Sequence, residues 1–158
     1  MMTRVVAVCV AAIVLGGCSS IKTYPNTLAK NMHVTTKLDS GSVVKSTSAV
    51  LDIYRVDAKC ELTHEGRIDL EEAKTEVGLP TNSPLYLEFV FSNSNYLARH
   101  SSSTSYGLLL TPRPGYSYQA KAEYVNGIYD ATVRETSKSD PAGRLVNHVP
   151  LSDCKAKG

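Results

Sequence analysis

Between Tyr116 and Val133 the chain reads YSYQAKAEYVNGIYDATV. Tyr116, Tyr118, Ala120, Ala122 and Tyr124 alternate with Ser117, Gln119, Lys121 and Glu123. After Asn126-Gly127 the alternation resumes, with Tyr129, Ala131 and Val133 set against Asp130, Thr132 and Arg134. A side-chain period of two belongs to a strand with one buried face. Asn-Gly between two such runs supplies the two φ > 0 residues of a type I′ turn. The segment predicts a hairpin of fixed register, because a one-residue slip would turn the tyrosines and alanines out to solvent.

Working outward, Leu85, Leu87, Phe89 and Phe91 alternate with Tyr86, Glu88 and Val90 and predict the main core strand, with both phenylalanines on one face. Val34 to Leu38 reads as a weak first strand followed by a turn at Asp39-Ser40-Gly41-Ser42. Ala49 to Asp57 reads as a strand buried on both sides. Cys60 to Thr63 and Arg67 to Leu70 flank His64-Glu65-Gly66 as a hairpin. Tyr106 to Thr111 is a strand stopped by Pro112-Arg113-Pro114-Gly115, and Arg144 to Val149 is the last strand. Asp69 to Val77, with Leu70, Ala73 and Val77 at steps of three and four, fits a helical turn or an edge segment. Ser92 to Ser105 is polar and too long for a tight hairpin, so it reads as a loop, either a binding loop or a solvated connection. Seven to nine short strands with no strand-helix-strand rhythm predict an all-β fold: one antiparallel β-sandwich, immunoglobulin-like or transthyretin-like, over residues 34–158. A barrel is the alternative.

The 158 residues carry 17 positive and 15 negative side chains. Near-neutral charge excludes a protein whose affinity comes from a strong basic field, so no nucleic-acid partner is expected. The amino terminus is different in kind. Arg4 precedes an apolar run from Val5 to Leu15, closed by Gly16, Gly17 and Cys18. At 1.5 Å per residue that run crosses about half of a ~30 Å hydrocarbon core, which marks a secretory signal rather than a membrane-spanning helix.

Leu15-Gly16-Gly17-Cys18 resembles the lipobox of bacterial lipoproteins. The resemblance implies removal of residues 1–17, diacylation (palmitate or a similar chain) at Cys18, and a membrane partner reached through that lipid. In that family an Asp after the cysteine favours inner-membrane retention. Ser19 stands there, which implies the outer membrane, with the domain facing the periplasm. Residues 18–33, with Pro25 and little periodicity, read as a lipidated tether of ~20 to 25 Å reach.

Four cysteines then sort themselves. Cys9 leaves with the signal and Cys18 takes lipid, so Cys60 and Cys154 form one pair, expected as a disulfide in an oxidising compartment. The alternative, a tetrahedral site from Cys60, His64, His148 and Cys154, lacks the spacing of a known zinc module, and neither metal nor other cofactor is expected. No nucleophile elbow, His-Glu-x-x-His, phosphate loop or dinucleotide glycine pattern occurs, and no carboxylate is placed in sequence to make a base of His33, His64, His100 or His148. A non-enzymatic protein is expected.

One candidate binding face remains. Tyr116, Tyr118 and Tyr124 read either as a stacking platform for sugar or peptide or, as the favoured reading, as core filling in a chain without Trp. The functional expectation is an outer-membrane lipoprotein that presents its sandwich to another envelope protein. Size, leader and expected fold also resemble the small lipoprotein of type VI secretion systems, a likeness of architecture without a motif. A glycan or peptidoglycan binder using the tyrosines is the third reading.

Overall fold

The computed structural model describes residues 21–39, 45–95, 97, 99–148 and 151–155. The leader, the lipobox with Cys18, and most of the turn after Asp39 lie outside the described residues. Nine strands and a terminal helical turn follow in order: β1 (Met32–Leu38), β2 (Lys45–Val56), β3 (Leu62–Asp69), β4 (Lys74–Val77), β5 (Leu85–Asn95), β6 (His100–Leu110), β7 (Tyr116–Val125), β8 (Ile128–Ser137), β9 (Arg144–Val146) and α1 (Leu151–Lys155). They make two facing sheets, β4-β1-β7-β8-β9 and β3-β2-β5-β6. The chain is an all-β sandwich with one disulfide, as expected. Among the described residues no helix is long and apolar enough to cross a membrane.

The hairpin is β7–β8, paired from Tyr116↔Ser137 to Val125↔Ile128. Its turn residues Asn126 and Gly127 have φ of 53° and 81°, as a type I′ turn requires. Ala120, Ala122 and Ala131 face inward from this sheet and are at most 2% exposed, while Leu87, Phe89 and Phe91 of the opposing sheet are fully buried. Small side chains on one layer leave the room that the rings of the other fill, which is how a sandwich core reaches close packing.

Four expectations are corrected. The polar stretch 92–105 is not a loop. β5 continues to Asn95 and β6 starts at His100, with Ser92↔Ser103 and Ser94↔Ser101 in register and β2 pairing on the other side of β5 down to Lys45↔Asn95. Backbone pairing on a central strand holds residues whose own β propensity is poor. Asp69 to Val77 takes the edge-segment alternative: its end is β4, the edge strand of its sheet, antiparallel to β1. β1 in turn runs parallel to β7, from Met32↔Tyr118 to Leu38↔Tyr124, so among the described strands the pairing is antiparallel except here. His64-Glu65-Gly66 is a bulge inside a continuous β3, where Ile53 faces Gly66 and Tyr54 faces His64. The connecting turn lies earlier, where Asp57 Oδ1 accepts the N–H groups of Lys59 and Glu61.

The fourth correction is the tether. Residues 22–33 are part of the fold. Tyr24 N–H donates to Arg67 C=O at 2.9 Å, Arg67 N–H donates to Lys22 C=O at 2.8 Å, and the buried Tyr24 hydroxyl donates to Gly78 C=O at 2.8 Å. Asn26 and Asn31 use their amide side chains as backbone substitutes, accepting from the N–H groups of Gly78 and Leu79 at 2.8 Å each. This strap runs from the β3 edge of one sheet to the β4 edge of the other and closes that side of the sandwich. The carboxy-terminal tail does the same on the other side. It leaves β9, places His148 Nε2 2.6 Å from Ala131 C=O, sets α1 against β6 and joins Cys154 to Cys60.

Candidate functional site

At the end of the sandwich away from the Asn126-Gly127 turn, a carboxylate faces inward. Along β8 the inward series Tyr129, Ala131, Val133 continues to Glu135, which is 5% exposed. A charge carried into a core needs partners. Arg113, in the connection between β6 and β7, supplies the first: its Nε donates to Glu135 Oε2 at 3.0 Å, and its Nη2 donates to Oε1. Arg144 of β9 donates from Nε to Oε1 at 3.0 Å, and the Tyr118 hydroxyl donates to Oε2 at 3.0 Å. Tyr118 also accepts the Arg113 N–H at 2.9 Å, and the Arg113 guanidinium lies 3.7 Å from the centre of the Tyr116 ring.

Burial pushes the Glu135 carboxyl up, but the hydrogen bonds from Arg113, Tyr118 and Arg144 outweigh it and hold it below its ordinary value. Burial raises the Tyr118 hydroxyl, which stays protonated and a donor. The cluster therefore holds two guanidiniums and one carboxylate, a net single positive charge. Three clefts open around Arg113. One of about 310 Å³ lies between the end of β6 and β9, one of about 500 Å³ lies beside the strap at Leu28 and Lys30, and one of about 270 Å³ lies toward Ser139 and Asp140.

A second charged group sits on the outer face of the other sheet. Asp52, 3% exposed, accepts from Arg67 Nε at 2.9 Å and Nη2 at 2.6 Å, and His64 Nε2 lies 3.1 Å from its Oδ1. Desolvation raises this carboxyl and the Arg67 and His64 contacts more than reverse it, so it too is held low. Tyr54 packs against His64 at 5.0 Å between ring centres. Asp52 thus joins the Arg67 guanidinium and the His64 ring in one ion-paired group.

The sequence-predicted residues divide. Tyr118 is fully buried and Tyr124 is 8% exposed, so the stripe faces the core and is not an open stacking platform. Tyr124 stacks on Tyr129 at 4.5 Å at the opposite end from Tyr116 and Tyr118. Cys60 and Cys154 are bonded to each other, which removes the four-ligand metal alternative; His64 is paired with Asp52, and His148 rests on Ala131. Among the described residues no three His, Cys, Asp or Glu gather as a metal would need. Glu135 and Arg113 were missed. The available signal was the alternation itself, which carried two residues past Val133 puts a carboxylate inside.

No family model matches the chain, and no curated protein matches it. Among solved structures it is similar to transthyretin from Sparus aurata, with a TM-score of 0.48 at 11% identity, covering 69% of this chain and 100% of that one. It is also similar to sea bream transthyretin in complex with thyroxine, with a TM-score of 0.45 at 10% identity, covering 76% and 98%. The β-sandwich stands on the two sheets described above.

Proposed function

We propose that this chain is an envelope lipoprotein, cleaved before Cys18, diacylated there, anchored in the outer membrane and presenting its sandwich to the periplasm as a non-enzymatic binding domain. The observation that supports it most is the strap. Lys22 is pinned to β3 by the Arg67 N–H, so only Ser19, Ser20 and Ile21 separate the lipobox cysteine from the fold. Four residue steps span at most ~14 Å. A lipid on Cys18 would hold the β3 edge against the membrane instead of letting the domain range on a tether. The Cys60–Cys154 bond accords with an oxidising compartment, and it leaves Cys18 as the mature chain's one cysteine free for acylation.

The test is Cys18→Ser. Serine offers no thiolate for acyl transfer, and the variant is expected in the soluble fraction while the parent floats with outer-membrane vesicles in a density gradient. A Cys18→Ser chain that still floats with the vesicles sinks the anchor.

A further inference from the structure

We propose that the cleft between the end of β6 and β9 binds the carboxylate of an aliphatic ligand, the C-terminal residue of a peptide being the type, with Arg144 as the principal contact and Arg113 as its neighbour. The inference is independent of the lipid anchor. It starts from charge. The cleft, about 310 Å³, has Arg113, Glu135 and Arg144 as its only charged lining residues. Glu135 has no capacity left to neutralise a second cation: Oε1 takes both guanidiniums and Oε2 takes Arg113 and Tyr118. One positive charge is in excess.

That excess sits on Arg144. Its side chain is 72% exposed and, among the described residues, is held through Nε alone, which leaves both terminal nitrogens to donate. On the far side of the Arg113–Glu135 pair the 270 Å³ cleft adds Asp140 to the same three charges and is balanced. Unmatched positive charge therefore faces the β6–β9 cleft and the cleft beside the strap, where Lys30 joins Arg113, and Arg144 lines the first of these two alone. An anion there meets a planar guanidinium already oriented by its hydrogen bond to Glu135, the arrangement that favours two parallel N–H···O contacts.

The rest of the lining selects among anions. Leu145 is 53% exposed next to Arg144, and Leu109 and Val146 extend the apolar wall, with Thr111 and Asn147 at hand for a peptide group. A single positive charge beside half-exposed aliphatic carbon matches a monoanionic carboxylate that carries a side chain. A compact phosphate would leave the leucine wall bare.

The experiment uses the full chain in detergent micelles, titrated by calorimetry with N-acetyl-alanyl-leucine, its C-terminal amide, N-acetyl-alanyl-glycine and inorganic phosphate. The leucine acid is expected to bind saturably, the amide and phosphate at least tenfold more weakly, and the glycine acid several-fold more weakly. Arg144→Gln is expected to weaken the acid at least tenfold while the chain stays folded at the titration temperature, and Leu145→Ser to erase the preference for leucine over glycine. Equal binding of acid and amide, phosphate binding as tightly as the acid, or an Arg144→Gln chain that binds like the parent would each overturn the proposal.

Discussion

Gly66→Ala puts the strap to the test. Gly66 lies in the β3 bulge at φ +147°, and a Cβ built there would stand 2.5 Å from both Cα and N of Tyr24 and 2.8 Å from C of Thr23. Those are backbone atoms with no rotamer to change, so the alanine either distorts β3 or lifts the strap. Backbone strain alone costs about 1 to 3 kcal/mol. Lifting the strap exposes Tyr24, now 8% exposed, at about 1.5 to 3 kcal/mol. It also gives up three hydrogen bonds worth about 0.5 to 1.5 kcal/mol net each. Gly127→Ala is the matched control, with φ +81° and nothing within 4 Å of its Cβ, so it reports strain without collision. In urea unfolding Gly66→Ala should lose at least ~2 kcal/mol more than Gly127→Ala. Amide exchange at Tyr24 and Arg67 should become fast while β5 stays protected. Equal losses in the two variants, with Tyr24 still protected, would refute the claim that residues 22–33 are folded structure.

Acid should weaken the fold through Glu135 and Asp52. Both carboxyls are held below their ordinary values of 4.5 and 3.8, so the unfolded chain takes up protons first. Their contribution is complete above those values and is lost as pH falls through the lower folded ones. The urea midpoint should therefore drop between pH 6 and pH 3, and Glu135→Gln should flatten that drop; a midpoint independent of pH over this range would count against both ion clusters. Phe89→Ala, at a fully buried ring facing the alanine layer, should cost about 3 to 5 kcal/mol in the same assay, and a loss under ~1 kcal/mol would show that the two layers do not interlock there.

What could be read in advance followed the strength of local pattern. The β7–β8 hairpin declared itself by alternation plus Asn-Gly, and β5 by its paired phenylalanines, because in both the hydrophobic period and the backbone agree. The disulfide followed from counting. The strap escaped notice because Asn26 and Asn31 work through side-chain amides that mimic backbone, a role invisible to hydrophobic period. The serine-rich ends of β5 and β6 escaped because their strand state is imposed by neighbours on both sides of β5 rather than chosen by their own side chains. The parallel pairing of β1 with β7 joins residues far apart in sequence and leaves no local mark. The Glu135 cluster was half legible: the tyrosines were found, but for their rings, when Tyr118 matters through a hydroxyl aimed at Glu135.

The anchor claim meets its most direct test in intact-mass and amino-terminal peptide mass spectrometry of the chain isolated from bacterial membranes. The account predicts a mature protein beginning at Cys18, carrying a diacylglycerol-type modification there, with Cys60 and Cys154 still joined. A membrane-derived chain that begins at any other residue, or one in which Cys18 is unmodified, would contradict it.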